Sequence, residues 1–178
     1  TYKPFMALAA LETGARKAET VVNDPGYWMF GNHRFRSHGD AGLGAVDMHR
    51  SIVKSSNVYY YTLANDMGVD KIHDFMKPLG LGQVTGIDLR GEVRGVLPSQ
   101  TWKKATYKRP EHQRWYAGET ISLGIGQGYN SFTMVQLATA MSTLANGGTR
   151  YTPHVVQTIH DPIKGTNTPR PHTPEATL

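Results

Sequence analysis

Two short stretches of this chain carry residues suited to chemistry: Thr1-Tyr2-Lys3-Pro4, and Ser55-Ser56-Asn57 about fifty residues later. Lys3 has the setting of the lysine in a Ser-x-x-Lys element whose serine would stand immediately before Thr1. A serine and a lysine three positions apart on a helix share a face, which puts the ammonium beside the hydroxyl. Acyl transfer through a serine needs a base within hydrogen-bond reach of that hydroxyl. For lysine to take a proton near neutral pH, its pKa must fall by about three units from ~10.4, and burial pushes it that way. Ser-x-Asn would add a second hydroxyl, Ser55, able to pass the proton to a leaving amine. It would also add an amide, Asn57, able to grip a peptide backbone and orient the lysine. No Lys-Ser-Gly or Lys-Thr-Gly follows Ser55. The nucleophile and the third element of such a site are therefore expected outside these residues.

Each element has a plainer reading. A lysine at a helix start can snorkel to solvent along its aliphatic stem. Ser-Ser-Asn at a break between helical segments is also a good N-cap cluster, with Ser55 and Asn57 as mere caps; in the catalytic reading Ser56 only fills the turn.

The elements that must position these residues can be read from the pattern. Residues 3–11 (KPFMALAAL) are apolar nearly all round, which predicts a buried helix with Pro4 in its first turn and Gly14 closing it. Residues 20–44, with Asn23-Asp24-Pro25-Gly26 and many further glycines and histidines, predict a turn-rich loop and no packed element. Residues 46–67 read as helix interrupted at 55–57 and ended by Gly68, with a short amphipathic helix over 69–79. Alternating apolar positions among the glycines of 80–98 predict short strands. After the glycine run ISLGIGQGY at 121–129, Thr133 and Gln136 have capping-box spacing and open a helix to Ala145, stopped by Asn146-Gly147-Gly148. Residues 150–159 read as a strand, and the proline-rich tail 161–178 as a surface loop.

Composition narrows the class. The chain has 178 residues, 39% of them hydrophobic, enough for a real core. It has no cysteine, so disulfides and thiolate metal sites are excluded while the compartment stays open. No run of eighteen apolar residues is present, so a membrane anchor would lie elsewhere. The net charge of +5 favours anionic surroundings without naming a partner.

Taken in order, TYKPFMALAALETG, NDPGYW, SSNVYYYTLANDMG, LGLGQVTGIDL, and ISLGIGQGY followed by a helix and NGG become specific. Over residues 1 to about 156 the chain resembles the transpeptidase domain of class B penicillin-binding proteins, in particular the elongation-specific penicillin-binding protein 2 type. The resemblance implies an α+β fold, an antiparallel sheet flanked by helices, of which residues 1–178 supply mostly the helical portion and only part of the domain. It implies a D,D-transpeptidase acting on peptidoglycan stem peptides through a serine acyl-enzyme and inhibited by β-lactams. Lys3 would be the general base, Ser55 the proton relay, and Asn57 a catalytic and substrate-holding residue. No cofactor is implied. The setting implied is the periplasmic face of the bacterial inner membrane, beside a membrane glycosyltransferase and other elongation proteins.

Other readings fare less well. A serine β-lactamase would need an added base for deacylation, and no matching motif stands out. A β-lactam sensor would share these motifs and differ in what is attached. The stretch Trp102, Lys103, Lys104, Tyr107, Lys108, Arg109, Arg114, Trp115, Tyr116 has the ingredients of a single-stranded nucleic-acid surface but no accompanying fold signature, so no nucleic acid is expected. Asp24, His33, His38 and Asp40 could offer zinc donors, yet without cysteine the metal-free reading is preferred. Gly124-Ile125-Gly126-Gln127-Gly128 lacks the lysine and hydroxyl of a phosphate loop and reads as a tight turn under the active site.

Overall fold

The computed structural model describes residues 1–37 and 41–178. It is an α+β chain of helices and antiparallel strand pairs, divided into two compact units, Thr1–Met76 with Leu97–Asn130 and Lys77–Val96 with Ser131–Leu178.

The first unit is built on α1 (Lys3–Glu12), α2 (Met48–Val53), α3 (Asn57–Met67) and α4 (Val69–Met76). Helix α1 is apolar on most sides because it is enclosed, with Phe5, Met6, Ala9 and Ala10 inaccessible to solvent. Its far end is held by an interaction that periodicity does not reveal. The buried Arg16 guanidinium donates to the Tyr59 carbonyl (2.9 Å), Thr62 Oγ1 (2.9 Å) and Asp66 Oδ2 (2.8 Å), and it lies 4.7 Å from the Tyr59 ring centre. One cation thereby ties the end of α1 to two turns of α3.

Residues 20–44 depart from the expected loop. Among the described residues they form β1 (Val22–Asp24), β2 (Tyr27–Phe30), β3 (His33–Arg36) and β4 (Gly44–Val46), pairing β1 with β4 and β2 with β3. The β2–β3 hairpin turns on Gly31-Asn32, with Gly31 at φ +55°, a two-residue turn signal present in the sequence but hidden among the other glycines. Aromatic contact holds it down: Trp28 sits 6.4 Å from Phe35, and Phe35 5.5 Å from Tyr61 of α3.

The basic-aromatic stretch is likewise more ordered than a surface loop. Ser99 caps α5 (Gln100–Thr106), followed by α6 (Pro110–Gln113) and α7 (Ala117–Ile121). Lys103 is 3% exposed and donates to both Glu119 oxygens, 2.6 Å to Oε2. Its ammonium also stands 5.4–5.6 Å from the rings of Trp115, Tyr116 and Tyr129. The central lysine is therefore engaged within the fold by Glu119 and the neighbouring rings, while Tyr116 stays half exposed.

A 3-10 turn over Ser122–Ile125 then presses the glycine run against the helices. A Cβ on Gly124 would fall 2.1 Å from the Tyr60 carbonyl oxygen and 2.9 Å from Ala64 Cβ. One on Gly126, at φ +78°, would fall 2.7 Å from Tyr2 Cβ. The tight turn read from the sequence therefore packs on α3 and on the residue beside Lys3.

The second unit contains α8 (Met134–Ala145), with the capping box Thr133–Gln136 as expected, and β5 (Thr149–Tyr151), β6 (Thr158–Asp161), β7 (Thr166–Pro169) and β8 (Pro174–Thr177). Strand β5 pairs with β8, and β6 with β7. The tail is thus strand rather than loop, missed because both faces of these short strands are largely exposed and carry no apolar alternation. Residues 80–96 err in the opposite sense and form no strand, only an isolated bridge between Val96 and Ser131. Side chains replace a partner strand there. The buried Gln136 amide donates to the carbonyls of Gln83, Val93 and Arg94, and the Glu92 carboxylate accepts from the N–H groups of Thr85 and Gly86.

Gly124→Ala is expected to destabilise the domain by about 1–3 kcal/mol, the usual cost of overpacking against unyielding backbone. Gly118→Ala in α7 should be neutral or slightly stabilising, because its Cβ would meet only the Phe30 ring at 3.8 Å and alanine favours helix. Thermal melts of the two variants check this, and equal shifts would contradict it.

Candidate active site

Lys3 and Ser55-Ser56-Asn57 are brought together although more than fifty positions separate them. Lys3 is the first residue of α1, and Pro4 occupies the turn where a missing N–H costs nothing. Its half-buried ammonium donates to the Ser55 carbonyl (2.6 Å), Ser55 Oγ (2.8 Å) and Asn57 Oδ1 (2.7 Å), with the Tyr60 ring 5.6 Å away. A protonated lysine has three donors, and here each has an acceptor. Burial lowers the Lys3 pKa from 10.5 to about 8, against the opposing pull of the Asp24 carboxylate. A snorkelling lysine would direct its head into water, whereas this one directs it at three protein acceptors.

The connector between α2 and α3 makes this arrangement possible. Ser55 adopts φ +54°, alone among described non-glycine residues in the left-handed region. That conformation costs a side-chain-bearing residue about 1–2 kcal/mol. It turns the Ser55 carbonyl and hydroxyl toward the same ammonium, and the charged hydrogen bonds offset the strain. Asn57 follows as the first residue of α3, one turn before Tyr61, whose hydroxyl donates to the Arg36 carbonyl (3.1 Å).

The capping role falls on Ser56 alone. Its Oγ accepts from Tyr59 N (3.1 Å) and donates to Asp24 Oδ2 (2.6 Å). Both residues are buried, Ser56 at 0% and Asp24 at 1% exposure. Ser56 therefore does more than fill a turn, correcting the expectation from sequence. Asp24 Oδ1 is occupied as well, accepting from Gly26 N (2.8 Å).

Of the zinc donors considered, Asp24 is engaged in this way and His33 lies on β3 with its ring 4.5 Å from Phe35. His38 and Asp40 lie outside the described residues. Among the described residues no three histidine or acidic side chains converge as a metal site.

A lysine held against a Ser-x-Asn turn on an α+β frame is the arrangement that the resemblance to penicillin-binding transpeptidase domains implies. The chain belongs to the penicillin binding protein transpeptidase domain family, which it matches over residues 1–176. It is 40% identical over 165 residues to the peptidoglycan D,D-transpeptidase MrdA of Haemophilus influenzae, covering 92% of this chain and 25% of that protein. Among solved structures it superposes on Pseudomonas aeruginosa PBP2 in complex with WCK 5153 with a TM-score of 0.85 and 37% identity, over 100% of this chain and 37% of that one. It superposes on PBP2 of Helicobacter pylori, in its complex with MreC, with a TM-score of 0.79 and 28% identity, over 86% of this chain and 28% of that one. The resemblance read from the ordered motifs is borne out, as is the α+β fold. The chain spans about a quarter of the length of the curated relatives it matches.

Ser56→Ala is expected to lower stability by about 1–3 kcal/mol, since it removes an N-cap and strands a buried carboxylate oxygen. Ser55→Ala should cost under about 1 kcal/mol, because water can replace an exposed hydroxyl. Denaturation of both variants checks the ranking, and equal losses would show that the buried bonds of Ser56 do not hold the turn.

Proposed function

We propose that this chain is part of a peptidoglycan D,D-transpeptidase of the elongation-specific type, with Lys3, Ser55 and Asn57 as its catalytic residues. In this reading the nucleophilic serine and the strand bearing Lys-Ser/Thr-Gly are supplied from outside residues 1–178. The observation that carries this reading is the Lys3 ammonium, half-buried and bonded at once to Ser55 and Asn57.

The reaction follows from that arrangement. Neutral Lys3 takes the proton of the serine hydroxyl, whose oxygen attacks the carbonyl carbon of the D-Ala–D-Ala bond. The proton passes through Ser55 Oγ to the departing D-alanine nitrogen as the C–N bond breaks. Asn57 holds the substrate backbone and keeps Lys3 directed at Ser55. An amine from a neighbouring stem peptide then attacks the acyl-enzyme, returning a proton by the same route and restoring the serine. β-Lactams acylate the same serine and are the natural probe. Support for a place in a larger assembly comes from the relative solved in complex with MreC, and we extend this to a membrane glycosyltransferase and to the periplasmic face of the inner membrane.

In the full-length protein, Lys3→Ala should slow acylation by a labelled penicillin at least about a hundredfold. An acylation rate within a few-fold of wild type would make Lys3 a structural lysine.

Only neutral Lys3 can act as the base, so the acylation rate of the wild-type protein should rise with pH through a midpoint near the lowered pKa of about 8. A flat profile between pH 6 and 9 (roughly a unit or two on either side of that value) would argue against Lys3 as the base.

A further inference from the structure

We propose that Asp24 is a positioning residue for this acyl transfer: through the Ser56 hydroxyl it holds the left-handed turn at Ser55 that presents Ser55 and Asn57 to Lys3. The inference rests on the function proposed above and assigns a part to a residue outside both motifs.

Asp24 closes β1 and is buried, with each carboxylate oxygen engaged: Gly26 N donates to Oδ1 at 2.8 Å and Ser56 Oγ to Oδ2 at 2.6 Å. The single Ser56 proton is committed to Asp24, which leaves the oxygen lone pairs facing the Tyr59 N–H at the start of α3. Orientation at Ser56 is thus determined from both sides, by an anion on a strand and by a helix amide. Ser56 N also donates to the Ser51 carbonyl (3.0 Å), so the residue after Ser55 has neither backbone nor side-chain freedom. That rigidity falls where it is needed, because Ser55 is held in a conformation that a free chain would relax. Were the turn released, the Ser55 carbonyl and hydroxyl could not both face Lys3.

Asp24 also acts at a distance. Its negative charge favours the protonated form of Lys3, opposing the burial that lowers the lysine's pKa. Turn rigidity and base strength are therefore linked through one carboxylate. The two effects separate by mutation, since Ser56 carries no charge.

The test uses full-length protein and a labelled penicillin, with acylation rates measured from pH 6 to 10, well below the melting temperature of each variant (a span of roughly two units around the lysine's value). Ser56→Ala should slow acylation at least tenfold with the midpoint of the pH profile unchanged, and Ser56→Thr, which keeps the hydroxyl, should recover most of the rate. Asp24→Asn should slow acylation and also move the midpoint to lower pH, because the anion that favours protonated Lys3 is gone. If Asp24→Asn does not fold, the two Ser56 variants decide the matter. Rates within twofold of wild type for Ser56→Ala and Asp24→Asn, with only their melting temperatures reduced, would leave Asp24 a purely structural residue and overturn the proposal. Stoichiometric zinc in purified protein, lost in Asp24→Asn, would overturn it too, since the carboxylate would then serve a metal. Failure of the parent reading looks different: wild-type protein would not be acylated, or Lys3→Ala would be as fast as wild type.

Discussion

A half-buried ammonium must find an acceptor for every N–H it withdraws from water, and the first unit is arranged around that requirement at Lys3. Among the described residues the lysine hydrogen-bonds to no carboxylate; its three acceptors are a carbonyl, a hydroxyl and an amide oxygen, all neutral. Neutral acceptors hold the charged form less firmly than an ion pair would. Such a lysine can give up its proton near neutral pH, whereas one salt-bridged to a carboxylate would keep it. Lys103 is the contrast within the same unit. Paired with Glu119 and close to three rings, it serves to hold α5 against α7 and Tyr129.

Holding three neutral acceptors on one nitrogen demands a rigid frame, and the frame is made of close backbone approaches. Gly124 lets the 3-10 turn lie on the Tyr60 carbonyl, and Gly126 lets it lie on Tyr2, so α1 and α3 are braced from one side. Arg16 binds the opposite end of α1 to α3 through the Tyr59 carbonyl. With both ends of α1 secured, the strain at Ser55 has nowhere to relax.

The second unit applies the same economy to irregular backbone. Gln136, Glu92 and Asp88 use their side chains to satisfy N–H and C=O groups that would otherwise need a sheet, with Asp88 accepting from Val155 N and Val156 N. Hydrogen bonds to the backbone and to Arg170 hold the Asp88 carboxyl below the usual carboxylate range, as expected of an acceptor that is always in use. Apolar residues in this segment, such as Val84 and Val93, remain exposed, which is why their alternation imitates a strand without forming one.

The sequence by itself determined the helices with clear periodicity and caps: α1, the pair broken at 55–57, α4, and α8 with its capping box. Local chemistry suffices there, since helix hydrogen bonds and caps join residues only three or four apart. Motif order likewise revealed the family and nominated Lys3, Ser55 and Asn57. Only the tertiary structure decided what depends on distant partners. The strands over 22–46 and 158–177 exist because of pairings and aromatic contacts that no short window contains, and residues 80–96 fail to be strand because Gln136 and Glu92 take their backbone groups. Within Ser-Ser-Asn, spacing alone could not separate the two serines, which are chemically identical. Folding turns Ser55 to Lys3 by a left-handed residue and buries Ser56 against Asp24, and burial of a charge beside a hydroxyl is a property of the packed chain.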